Sequence, residues 1–202
     1  MRFFRVPYLI QSLFWNRKWT GKNTRAVYLT FDDGPDETVT PWLLEFLKKE
    51  NIQATFFCVG SQIEKHPIIY KKMKELGHII GNHTYNHEKG TKTPANEYIA
   101  SVKKSDSILK SNLFRPPYGR MTAKQERLLL KLNKKIIMWS WISHDYDKNI
   151  NPNTITRNAK RIKGGDILLF HNNEKAKKNV MKSLPKVIRI IREKHLTFNA
   201  IS

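Results

Sequence analysis

From residue 26 onward, short apolar runs alternate with longer stretches in which apolar residues recur every three to four positions. The runs predict strands over residues 26–31, 53–59, 77–80, 112–115, 135–140, 166–170 and 196–199. The amphipathic stretches predict helices near 38–50, 61–75, 95–110, 122–132, 153–162 and 176–193. In the last of these Val180, Leu184, Val187, Ile188 and Ile191 fall at helical spacing and form a stripe that should face the core. Strands alternating with helices predict parallel strands with helices packed outside them. Seven strands approach the count of a β/α barrel, although periodicity alone also allows an open sheet.

The chain has 202 residues and is 40% hydrophobic, enough for one sizeable core. No repeat, low-complexity linker or composition break divides it. We therefore expect one domain over residues 25–202, preceded by a segment over 1–24. No window holds the roughly 18 uninterrupted apolar residues of a membrane span. The opening "MRFFRVPYLIQSLFWNRKW" carries Arg2, Arg5 and a short apolar stretch broken by Gln11, Asn16 and Arg17, with no small-residue cleavage site after it. A peripheral surface segment or a covering strand fits this better than an export signal. The compartment stays open.

Composition narrows the chemistry further. A single cysteine, Cys58 in "ATFFCVG", excludes an internal disulfide and a multi-cysteine metal site, and its apolar setting predicts a buried thiol. The net charge of +20 raises polyanion binding. Yet the lysines are spread over the predicted helices, without the recurring aromatics of a single-strand binding platform. The expectation is a solvated basic surface and no specific nucleic-acid partner.

Unusual polar clusters follow the strand runs one after another. Asp32-Asp33 end the first, "GNHTYNH" (81–87) follows the third, "RPPYG" (115–119) the fourth, "SHDYD" (143–147) the fifth, and His171 follows "DILLF". Reactive residues of β/α barrels gather at the C-terminal ends of the strands, so these five clusters belong to one rim. His83 and His87 share a face if their stretch makes a helical turn, and paired imidazoles with a carboxylate suit zinc and similar divalent ions. One aspartate of the pair can bind such an ion while the other acts as a base beside activated water. His171 can serve as an acid, Arg115 can hold a carboxylate by paired hydrogen bonds, and Tyr118 N–H, the first amide after Pro116-Pro117, can stabilise an oxyanion. The set suits metal-assisted hydrolysis of an amide or ester.

In order and spacing, "TFDDGP", "HTYNH", "RPPYG" and "LLFH" resemble the polysaccharide deacetylase family, carbohydrate esterase family 4, over roughly residues 25–200. The resemblance implies a distorted (β/α) barrel, usually of seven strands, and removal of N- or O-acetyl groups from glycans by metal-activated water, with N-acetyl favoured. It implies one divalent ion, zinc first and cobalt, nickel or manganese as alternatives, held by Asp33, His83 and His87. Asp32 would be the base, Arg115 its orienting partner, Tyr118 the oxyanion donor and His171 the acid. Leu169 would line the acetyl-methyl pocket, and Asp145 and Tyr146 are expected at the substrate surface. Peptidoglycan or a chitin-like oligomer is the expected substrate.

One stretch departs from the family pattern. Aligning "MWSWISHDYD" on Trp139 places Ile142 where an aspartate tunes the acid histidine, and Asn172 follows His171 where Asp is common. His171 then lacks its usual partner unless Asp145 or Asp147 reaches it. This departure motivates an alternative reading as a glycan-binding pseudoenzyme; deacylation of a non-glycan amide is a further alternative.

Overall fold

The structure, a computed structural model, describes residues 3–201. Met1, Arg2 and Ser202 lie outside the described residues, so the expectation placed on Arg2 is not addressed. Seven parallel strands form one curled sheet: β1 (Ala26–Asp32), β2 (Thr55–Cys58), β3 (Ile79–Asn82), β4 (Leu113–Phe114), β5 (Lys135–Ile136), β6 (Trp141–Ile142) and β7 (Ile167–His171). Their order across the sheet is β5-β4-β3-β2-β1-β7-β6, and an eighth strand, β8 (Thr197–Asn199), pairs with the start of β1. Helices α2 (Thr40–Lys49), α3 (Gly60–Lys65), α4 (Pro67–Glu75), α5 (Ala95–Leu109), α6 (Ala123–Lys131), α7 (Pro152–Ala159) and α8 (Lys177–Glu193) lie between the strands in sequence. This is the distorted (β/α) barrel that the family resemblance implied.

Burial explains why the central strands read as continuous apolar runs. All seven residues of β1 are buried, because helices cover one face and the barrel interior the other. Phe31 stacks on Phe56 of β2 and packs against Phe170 of β7. The predicted stripe of α8 is buried as a unit, from Val180 to Ile191. Two predicted elements are interrupted. The helix expected over 61–75 stops at His66, because Pro67 has no N–H to continue the ladder, and restarts there as α4. Of the strand expected over 135–140 only residues 135–136 form one, β5, and β6, which follows after residues 137–140, was not predicted.

That interruption leaves the sheet open between β5 and β6, and the N-terminal segment fills the gap. Arg5 bridges to Trp141, and Lys18 bridges to Ile137. Ile142 N–H donates to Phe4 O, Val6 N–H to Ser140 O, and Met138 N–H to Lys18 O. The expected covering segment is therefore present as two short bridged stretches. Between them runs a helix that periodicity did not predict, α1 (Tyr8–Leu13). Cys58 is buried as expected, and burial pushes its thiol up.

Candidate active site

β1 ends on Asp32, and Asp33 turns out of the strand with φ +81°. That turn brings two neighbouring carboxylates, which an extended chain would point to opposite faces, toward one imidazole, His83. Asp33 N–H donates to Phe57 O, Val59 N–H to Gly34 O, and Gly34 N–H to Asn172 Oδ1 at 3.0 Å. A Cβ at Gly34 would fall 2.0 Å from the Asn172 amide, so this close approach requires glycine. Asn172, where an aspartate was expected, thus braces the turn and also donates to Thr40 Oγ1.

His83 and His87 follow β3 in a loop, not in the helical turn considered above. Thr84 (φ +64°) and His87 (φ +59°) take left-handed conformations, and these bring the two rings to 5.1 Å between centroids. The loop is pinned by Gly60 N–H to Thr84 O, Ser61 N–H to Tyr85 O and Thr84 N–H to Asn82 Oδ1. His83 Nδ1 lies 2.8 Å from Arg115 O; as the donor there, it leaves Nε2 unprotonated as an electron-pair donor. Asp33 Oδ1 is 3.5 Å from His83 Nε2 and 3.1 Å from His87 Nε2. The donor atoms of Asp33, His83 and His87 lie within 4.8 Å of one another.

This donor set fits a divalent ion of the zinc type: two imidazole nitrogens and one carboxylate oxygen, with space left for water and substrate. Its surroundings fit as well. The Arg115 carbonyl orients His83, and Asn173 Nδ2 donates to Asp33 Oδ2 at 2.6 Å. Burial alone would raise the Asp33 carboxyl, but the neighbouring imidazoles of His83 and His87 and the charge of His171 outweigh it and hold the group well below the usual carboxylate range.

Arg115 is fully buried behind Asp32. Its Nη1 donates to Asp32 Oδ1 and to Thr30 Oγ1, each at 2.7 Å, and its Nε and Nη2 donate to Ile137 O and Met138 O. The expected paired contact to the carboxylate is therefore a single one, because three other acceptors take the remaining geometry of the fork. Asp32 Oδ2, the oxygen Arg115 leaves, lies 3.8 Å from His83 Nε2. Tyr118 sits in a 3-10 turn with φ +59°, and its N–H meets no acceptor among the described residues.

His171 closes β7, registered directly opposite Asp32. Its partner is Asp145, not a residue at position 142: Nδ1 lies 2.7 Å from Asp145 Oδ1, and the His171 N–H donates to Oδ2 at 2.9 Å. His144, with φ +57°, turns the chain so that Asp145 points back to the strand end. Burial alone would lower His171, but Asp145, then Asp33 and Asp32, push it up to about 9. The placement of Asp145 at the substrate surface is corrected here. Its side chain is fully buried behind His171, and Asn179 caps its carbonyl.

Asp32, Asp33, His83, His87, Tyr118 and His171 line one cleft of about 820 Å³, with Arg115 and Asp145 buried behind it. Leu169 and Tyr146 border it, Tyr146 edge-on to the His171 ring. Sequence reasoning missed Trp139, Lys89, Arg120 and Lys175 on its walls, since single aromatic or basic residues in loops carry no pattern. Ile142, registered beside Leu169, adds an apolar wall where a carboxylate was the family expectation. Among the described residues nine non-glycine positions have positive φ, and four of them, Asp33, Thr84, His87 and Tyr118, belong to this site. Such conformations cost on the order of 1–3 kcal/mol each and persist where surrounding bonds enforce them. A merely structural turn has no use for that concentration of strain.

Comparison with known proteins agrees with this geometry. A family profile described as polysaccharide deacetylase matches residues 20–137, more than half of the chain. A peptidoglycan-N-acetylglucosamine deacetylase of Bacillus cereus is 40% identical over 143 residues, which cover 68% of this chain and 52% of the relative. The chain thus matches about half the length of that relative. A crystal structure of a peptidoglycan N-acetylglucosamine deacetylase superposes with a TM-score of 0.88 at 32% identity, covering 97% of this chain and 95% of that one. A family 4 carbohydrate esterase from Streptomyces lividans, solved with acetate, superposes with a TM-score of 0.79 at 26% identity, covering 88% and 93%.

Proposed function

The chain belongs to the polysaccharide deacetylase family, and from that premise we propose that it hydrolyses the N-acetyl amide of an amino-sugar glycan with a divalent ion held by Asp33, His83 and His87. The observation that carries this reading is the meeting of those donors, Asp32 with its Arg115 partner, and His171 with its Asp145 partner in one cleft. An ion at the three donors, zinc first and cobalt, nickel or manganese as alternatives, supplies a lowered water pKa and a polarised acetyl carbonyl.

The chain's own groups do the rest. Arg115 holds Asp32 by Oδ1, which directs Oδ2 to take the proton of the attacking water. Tyr118 N–H, held in a strained turn, donates to the acetyl oxygen as it gains charge. Asp145 fixes His171 with its proton on Nδ1, so Nε2 is the nitrogen that delivers a proton to the departing sugar amine. Leu169, Ile142 and Trp139 give the acetyl methyl an apolar wall. Water adds to the carbonyl carbon, the C–N bond breaks, and acetate and a free amine leave.

An N-acetylglucosamine glycan of the bacterial wall is the substrate class this reading favours. The B. cereus relative bears that substrate in its name. Lys89, Arg120 and Lys175 on the cleft also suit a glycan that carries carboxylates. Acetate release from peptidoglycan fragments and chitin oligomers tests the proposal. It should stop on chelation and return with added zinc. Release that is indifferent to chelation would remove the metal from the account, and none from either glycan after zinc loading would remove the activity.

A further inference from the structure

The described residues include thirteen exposed large hydrophobic side chains, and seven of them lie between Phe3 and Trp15. No residue of α1 is buried: Tyr8 is 82% exposed, Leu13 68% and Trp15, just past the helix, 80%. The segment is nevertheless held in place. Phe4 packs on Trp141, Trp19 is buried and donates from Nε1 to Phe14 O, and Arg17 pairs with Glu126 beneath the Phe14 ring. A rigid scaffold therefore presents a large apolar face to solvent, well beyond the scattered exposed residues usual on a monomer.

A second feature lies next to it in the chain. Lys18, Lys22 and Lys135 line a separate cavity of about 240 Å³, and among the described residues no carboxylate lines it. Burial, and then the charges of Lys135 and Lys22, lower the Lys18 ammonium below its ordinary value, as expected for cations gathered together. Lys135 and Ile167 begin β5 and β7, so this cavity opens at the opposite ends of the strands from the catalytic cleft.

We propose that α1 with Tyr8, Leu9, Leu13 and Trp15, together with the Lys18, Lys22 and Lys135 cluster, docks the protein on an anionic lipid surface. Six residues of helix measure about 9 Å, far short of a bilayer's roughly 30 Å, so the helix lies in the interface and does not cross it. Tyr and Trp at its two ends suit the headgroup layer. Charge decides between lipid and a second copy of the chain. At +20 per chain, two copies meeting through this face repel each other, whereas an anionic headgroup layer meets both the apolar face and the lysines. Docked through the lysine end, the molecule leaves its cleft open to glycan.

Co-sedimentation with phosphatidylglycerol–phosphatidylcholine vesicles, against vesicles of phosphatidylcholine alone, tests this. The full chain should sediment with the anionic vesicles and much less with the neutral ones. Binding should fall at least about tenfold in the triple variant Leu9→Ser/Leu13→Ser/Trp15→Ser and in Lys18→Ser/Lys22→Ser/Lys135→Ser, with unfolding midpoints unchanged. No sedimentation with anionic vesicles, equal sedimentation with both, or full binding by either variant overturns the proposal. So does a native dimer by light scattering that the apolar variant dissociates without any vesicle binding, which would make a second copy the occupant.

Discussion

Asn173 donates to the outer oxygen of Asp33, while the inner oxygen faces both imidazoles. Asn173→Ala should therefore leave the fold intact and weaken divalent-ion affinity about 10–100-fold, as measured by competition with a chromophoric chelator. His171 gives a prediction in pH. The charged groups facing it are Asp145, Asp33 and Asp32, and together they raise it to about 9. As the acid it must be protonated, so kcat/KM should fall as pH rises through the His171 value, with a bound cation moving that limb downward from 9. Asp145→Asn removes the largest raising influence and should shift the limb to lower pH, with a loss of kcat of about 10²-fold or more. The sign for stability follows from the same shift. With a folded value above the unfolded one of about 6.5, the pair's contribution is complete below about pH 6.5 and is lost as pH rises through about 9. Legibility differed among these residues. The roles expected of Asp33, His83 and His87 came from the family resemblance, and the structure brings the three together. Asp145 was misplaced because a linear alignment on Trp139 cannot register the left-handed turn at His144. Asn173 carried no signal at all.

At the scale of elements, periodicity worked where an element is long and failed where it is short. The stripe of α8 and the buried run of β1 each present many residues to one environment, and both form as expected. β5 and β6 have two residues each, too few to carry a period, so the first was read too long, over 135–140, and the second was missed. α1 escaped notice for a different reason. Its apolar residues pack against no core; none of the helix is buried. The gap between β5 and β6 makes the N-terminal segment part of the barrel wall. Trp141 is fully buried where Phe4 and Phe170 meet it. Trp141→Ala should destabilise the protein by about 3–5 kcal/mol in denaturant unfolding, through lost burial plus the cavity left behind. A loss below about 1 kcal/mol would mean that the segment closes the barrel without packing against it.

For the whole molecule, alternation of strands and helices predicted parallel strands wrapped by helices, and that architecture in turn located the chemistry. Asp32 and His171 end adjacent strands, and Arg115 and His83 follow the ends of two others, so four distant stretches of chain meet on one rim. What composition alone offered, a charge of +20, pointed to polyanions in general and left open which face of the molecule meets them. The fold separates two basic regions, one on the cleft and one at the opposite ends of the strands. The central claim, amide hydrolysis with Asp32 as the base beside a metal held by its neighbour, is tested most directly by one paired measurement. Acetate release from N-acetylglucosamine oligomers is followed for the native chain and for Asp32→Asn, with bound divalent metal determined on the same samples. The account predicts one ion per chain in both proteins and a loss of turnover of about 10²–10⁴-fold or more in the variant. Unchanged turnover in Asp32→Asn at full metal content would contradict it.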